Sequence, residues 1–229
     1  MPERQAVRRI QSSVVALLSL FCADSFAESY QVRVTDMTGQ PLPDAVVALN
    51  TSGYSSPAKT IRIMDQIDRQ FSPHVLAVNA GDLVSFPNSD NIRHHVYSFS
   101  EAKAFEIKLY ADRPESPIDF LRPGIVVLGC NIHDDMVGYI YVTPEGQSAA
   151  VTDKNGYASV SGAGELKSVS IWHERLSVME SEQTTLGAEA LENYRSGDYS
   201  FLITVDPEVP PREPAGDHVH HGFGNSMRR

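Results

Sequence analysis

The sequence predicts an all-β protein, and three observations carry that expectation. Past residue 30 the apolar runs are short and rich in Val, Ile, Leu and Tyr; Gly, Pro, Asn and Asp punctuate them; and no helical period persists. The chain has 229 residues, 41% of them hydrophobic and 21% charged, ample to bury a core. Asp and Glu number 29 against 19 Lys and Arg, a net charge of −10. An acidic chain without a Lys/Arg-rich run argues against nucleic acid or anionic lipid as the main partner.

The first segment reads as targeting. Arg4, Arg8 and Arg9 precede an apolar run over 14–21, and Ser25-Phe26-Ala27 supplies small residues at the −3 and −1 positions. That pattern describes a secretory signal over 1–27, with export by the general or the twin-arginine route. The run is too short to span a bilayer, which takes about 20 apolar residues, and no later run is long enough. Cleavage removes Cys22 and leaves Cys130 as the only cysteine. In an oxidising compartment a lone thiol implies a covalent partner, an inert buried position or a metal.

The elements follow in order. Val32-Arg33-Val34 alternates, Asp36-Met37-Thr38-Gly39 turns, and 45–49 is an apolar strand. The polar stretch 51–57 is a linker, which places the first unit at 28–59. Over 60–146 short strands recur between turns, as in a β-sandwich. Runs at 75–78 and 83–86 flank Asn79-Ala80-Gly81-Asp82, which predicts a hairpin; runs at 124–128 and 139–142 bracket the cysteine. The unit 147–206 restarts the pattern with the turn Asp153-Lys154-Asn155-Gly156, a strand at 168–172, a short helix within 183–194, and a last strand over 199–205. Residues 207–229 lack an apolar period and read as a disordered, His-containing tail with His218, His220 and His221.

The chemistry concentrates in Cys130-Asn131-Ile132-His133-Asp134-Asp135-Met136 and in Arg93-His94-His95-Val96. A thiolate, imidazoles and a thioether are the soft and borderline ligands that copper prefers. Cys-x2-His-x2-Met lets one tight loop present three of them to a single point. The fourth comes from another strand, His94 or His95, and strand geometry puts these two on opposite faces, so one of them binds. Two His and one Cys in a plane with a long axial Met is the blue-copper arrangement, suited to electron transfer. Asp134 and Asp135 read as solvated carboxylates, His74 as a strand-entrance cap, and Trp172-His173 as a strand end.

These residues resemble the cupredoxins, those of the amicyanin and methylamine-utilisation type above all. The motifs are Val78-x2-Gly81-x2-Val84-x-Phe86-x-Asn88, His94-x-Val96, Pro123-Gly124, the cysteine loop, and Gly138-x-Ile140-x-Val142. The resemblance implies a Greek-key sandwich, selects His94 as the ligand beside Cys130, His133 and Met136, and makes His133 the electron exit. His95 stands where that family usually has an Asn buttressing the ligand loop, which makes it a candidate supporting residue behind the ligands.

The flanks resemble carboxypeptidase regulatory-like (transthyretin-like) sandwiches: Val32-x-Val34-x-Asp36-x2-Gly39 before the copper unit, Asp153-x2-Gly156-Tyr157 after it. The expectation is therefore a cupredoxin sandwich inserted in, or joined to, a small transthyretin-like sandwich. Its function would be periplasmic transfer of single electrons through one type 1 copper ion, with a c-type cytochrome or a periplasmic dehydrogenase as partner. A copper carrier or storage protein, favoured by the His-bearing tail, is the main rival. A mononuclear copper enzyme ranks below it, because no general base is evident; the protein is not expected to be an enzyme.

Overall fold

The computed structural model describes residues 28–112, 116–177, 181–197 and 200–211. The signal segment 1–27 and the three tail histidines lie outside the described residues. In chain order the first strands are β1 (Glu28–Asp36), β2 (Val46–Thr51), β3 (Ile61–Ile63), β4 (Asp65–Ile67), β5 (Gln70–Ser72) and β6 (Val75–Asn79). Next come β7 (Leu83–Ser85), β8 (His94–Phe99), β9 (Ala104–Tyr110), β10 (Ile118–Asp119), β11 (Gly124–Cys130) and β12 (His133–Thr143). Then follow β13 (Gln147–Val151), β14 (Tyr157–Gly162), β15 (Leu166–Trp172) and β16 (Thr184–Gly187). A short helix α1 (Ala188–Leu191) precedes β17 (Phe201–Val205). The protein is all-β, as its sequence predicts. Among the described residues no helix is long and apolar enough to cross a membrane.

The sheets stack, with an apolar core in each gap. Sheet β14-β1-β17 faces sheet β13-β2-β15-β16 across Val32, Val34, Val47, Leu49, Val169, Ile171, Phe201 and Ile203. The far side of β2 and β15 presents Val46, Ala48 and Trp172 to Val75, Tyr139 and Tyr141 of the sheet β6-β12-β11-β8-β9. Beyond that sheet, Met64, Phe71, Phe86, Val96, Leu128, Met136 and Ile140 fill the third core, closed by sheet β10-β7-β3 and the pair β4-β5. Strands β2 and β12 are thus buried on both faces, which is why 45–49 and 139–142 read as continuous apolar runs rather than alternations.

The flanking pieces meet across the unit between them. Strand β1 pairs antiparallel with β14 and parallel with β17, and β2 lies between β13 and β15. Both Asp-x2-Gly turns are built alike: Asp36 Oδ1 accepts the Thr38 and Gln40 N–H groups, and Asp153 Oδ1 those of Asn155 and Tyr157.

One local expectation is corrected. The turn over 79–82 does not close a hairpin, because β6 pairs with β12 while β7 belongs to another sheet. Asp82, 1% exposed, accepts the Asn79 N–H on one oxygen and the Thr60 N–H on the other, so the turn carries the chain from one layer to the next. The short helix expected within 183–194 forms at Ala188–Leu191. The residues just before it, Thr184–Gly187, form strand β16, zipped to β15 and fastened by the Ser170–Thr185 hydroxyl pair at 2.9 Å.

Candidate metal centre

Three strands of the five-stranded sheet deliver the ligand candidates to one end of the third core. His94 opens β8, Cys130 ends β11 and His133 opens β12, with the Asn131-Ile132 turn between the last two. The β11–β12 register slips between Gly129 and Cys130, so Cys130 lies directly opposite His133. The Tyr97 ring of β8 lies over the glycine before the cysteine. Gly129 pairs with Tyr97, and a Cβ on it would come within 2.7 Å of the Tyr97 Cζ and hydroxyl.

The geometry is that of converging donors. The Sγ of Cys130 lies 3.7 Å from His94 Nδ1 and 3.8 Å from His133 Nδ1, and all three ligating atoms fall within 4.8 Å of one another. The two imidazole centroids are 5.0 Å apart. His94 is fully buried, Cys130 is 3% exposed and His133 is half-buried at the rim. Met136, 1% exposed, sits in the same apolar cluster as Cys130.

This donor set fits one soft or borderline cation. Metal–sulfur and metal–nitrogen bonds of about 2.3 and about 2.0 Å, opened to about 120°, span a sulfur-to-nitrogen edge of about 3.7 Å. The two observed edges match it. Burial and the neighbouring His94 push the His133 imidazole below its usual value, with Arg69 adding and Asp90 opposing. A ring kept neutral keeps its lone pair available to a cation.

The outward nitrogen of His94 is held as firmly as the inward one is aimed. Its Nε2–H donates to Asp90 Oδ2 at 2.6 Å, which leaves Nδ1 as the lone pair facing Cys130. Asp90 also accepts the Asp68 N–H at 2.6 Å and the Arg69 N–H at 2.9 Å. Burial pushes the Asp90 carboxyl up, but hydrogen bonds from the Arg69 N–H, His94 and the Asp68 N–H outweigh it and leave the group below its usual value. Asn88 shapes this loop: its Oδ1 accepts the Asp90 N–H, and its Nδ2 donates to the Ile92 carbonyl.

His95 faces the other way. Its Nε2 donates to Glu106 Oε1 at 2.9 Å and its ring lies 5.8 Å from that of Tyr97, so the support behind the ligands is Asp90 rather than His95. On the core side Tyr110 donates to the Phe86 carbonyl and receives Gln66 Nε2; burial above all, with Cys130 among the lesser causes, pushes its hydroxyl up to about 12. The sequence signal for Asp90 was weak. It is an acid four residues before a histidine, within a polar loop where no periodicity assigns it a direction.

No protein-family model matches the chain, and no curated protein matches it. Solved structures with some likeness include an oxidised mutant of amicyanin, 16% identical, covering 43% of this chain and 98% of that one at a TM-score of 0.32. A purple cupredoxin from Nitrosopumilus maritimus is 20% identical over 37% of this chain and 100% of its own, at 0.32. The copper-containing nitrite reductase from Thermus scotoductus is 22% identical over 48% of this chain and 28% of its own, at 0.35.

Proposed function

We propose that this protein is a periplasmic type 1 copper protein that carries single electrons between redox partners. The observation that supports this reading best is the pair of inward Nδ1 atoms at 3.7 and 3.8 Å from one buried thiol. His94, Cys130 and His133 would hold the metal, with Met136 as the axial ligand. Bound copper supplies a one-electron couple. The chain contributes a largely buried pocket, in which three strands and a tight turn fix the donors before any ion arrives, so that little rearrangement accompanies a change of charge.

His133 is the exit group on this reading, since it alone of the three reaches the rim. Ile132, 52% exposed, adjoins it in the ligand turn; Ile67 at the end of β4 and Ile92 in the loop before β8 are also exposed, at 42% and 39%. Asp134 and Asp135, both exposed, follow directly on β12. Exposed carboxylates beside the exit group suit a basic-faced c-type cytochrome or a dehydrogenase with a cationic docking face. Periplasmic placement rests on the signal pattern of residues 1–27.

The test is the visible spectrum of copper-loaded protein. One copper per chain with an intense thiolate-to-copper band is expected. Cys130→Ser should abolish the band, and His94→Ala should damage it far more than His95→Ala. Equal damage from both histidine changes would overturn the assignment of His94.

A further inference from the structure

We propose that Asp90 is a positioning residue for the copper ligand His94, and that its carboxylate biases the site toward the oxidised state. This inference rests on the copper reading above. The carboxylate is the meeting point of three donors from two segments: His94 Nε2, and the successive N–H groups of Asp68 and Arg69. Its side chain is only 11% exposed, and His94 is not exposed at all. A carboxylate so far out of water is retained at a cost unless its hydrogen bonds are supplied, and here the backbone supplies two of them.

The supplying turn is itself unusual. Asp68 and Arg69 both adopt left-handed backbone, φ 53° and 59°, a conformation disfavoured for residues other than glycine. The conformation aims their N–H groups at the two different oxygens of Asp90. Two strained residues and a loop knit by Asn88 therefore converge on one acceptor, and that acceptor touches one ring nitrogen. An apolar cap over His94 would leave its buried Nε2–H without an acceptor, and a neutral acceptor would satisfy it; a carboxylate does that and adds a negative charge beside the ring.

That action has a definite direction. The acceptor fixes the proton on Nε2 and therefore the lone pair on Nδ1, at the face turned to Cys130. Drawing the proton toward a carboxylate makes the imidazole a stronger donor. Stronger donation, together with a nearby negative charge, favours the more positive oxidation state of whatever ion the ring binds. Replacing the carboxylate by a neutral amide of the same shape removes the charge and keeps an acceptor for the ring.

The experiment compares unsubstituted protein with Asp90→Asn by spectroelectrochemical titration of the copper form. The expected result is a retained thiolate band and a change of at least tenfold in relative affinity toward Cu(I), read as a rise in potential of about 59 mV for one electron. An intact band with an unmoved potential, the Cu(I) and Cu(II) affinities falling together, would mean that Asp90 only props the loop; that overturns this inference alone. Absence of the band from unsubstituted protein overturns the copper reading and this inference together. A second measurement needs no variant. Proton NMR of the Cu(I) form should show the His94 Nε2–H far downfield and slow to exchange. A proton exchanging as fast as that of His133 would overturn the proposal.

Discussion

Lowering the pH from 7 to 4 should weaken the fold through one imidazole outside the candidate metal centre. His173 follows the end of β15 and is 5% exposed. Its Nε2–H donates to the Pro43 carbonyl at 3.1 Å, and its Nδ1 accepts the Arg175 N–H at 3.1 Å. A neutral ring satisfies both bonds; a proton on Nδ1 breaks the second. Burial, with Arg175 and His74 adding and Glu174 and the Pro43 bond opposing, pushes the ring from 6.5 to about 4. Between those values the unfolded chain binds more protons than the folded one. The contribution is therefore complete above about pH 6.5 and is lost as the pH falls toward 4. At about 1.36 kcal/mol per pH unit the gap is worth about 3 kcal/mol. That is a large part of a typical stability of about 5–15 kcal/mol. Urea unfolding at pH 7 and pH 4, on unsubstituted protein and on His173→Gln, isolates this group from the carboxylates that titrate alongside it. The unsubstituted protein should lose about 3 kcal/mol more than the variant. Equal losses in the two proteins would refute the reasoning.

Gly138→Ala should destabilise by about 1–2 kcal/mol in urea unfolding: the new Cβ would stand 2.7 Å from the Phe71 Cβ, which no side-chain rotation can move, and overpacking of about 1–3 kcal/mol exceeds the entropic gain of about 0.4–1. Unchanged or raised stability would show that β5 yields freely. Electron exchange with a basic cytochrome should slow as salt rises, and Asp134→Asn with Asp135→Asn should slow it at low salt while leaving the copper spectrum intact. A salt-independent rate, untouched by both substitutions, would exclude these carboxylates from steering.

The all-β class was legible because strand length, turn residues and the missing helical period are local properties. The ligand candidates were legible for the same reason: Cys130, His133 and Met136 lie within seven residues of one another along the chain, and their side-chain types narrow the chemistry before any contact is known. What the sequence hid depends on partners distant along the chain. The turn over 79–82 carries every hairpin residue, yet Asp82 ties it to Thr60 and sends the next strand to another layer. Thr184–Gly187 is mostly exposed, with only Leu186 packed inward, and becomes a strand because β15 offers an edge. Asp90 could be seen in the sequence but not assigned, since its direction is set by two backbone N–H groups more than twenty residues upstream.

The two-faced strands explain why the layers belong together. Along β12, Tyr139 and Tyr141 face Trp172 and β2, whereas Ile140 and Val142 face the core that ends at Cys130 and Met136. The Tyr139 ring meets Trp172 at 5.3 Å and His74 edge-on at 5.4 Å. Its backbone N–H is held by the His74 carbonyl. A strand clamped on both faces has little freedom to slide, because a one-residue slip would exchange the residues of the two cores. His133 and Met136 begin that same strand, within six residues of Tyr139. Packing from the flanking sheets therefore fixes the register of two candidate ligands without touching either one, and the flanking sandwich acts on the site by restraining the strand that carries it.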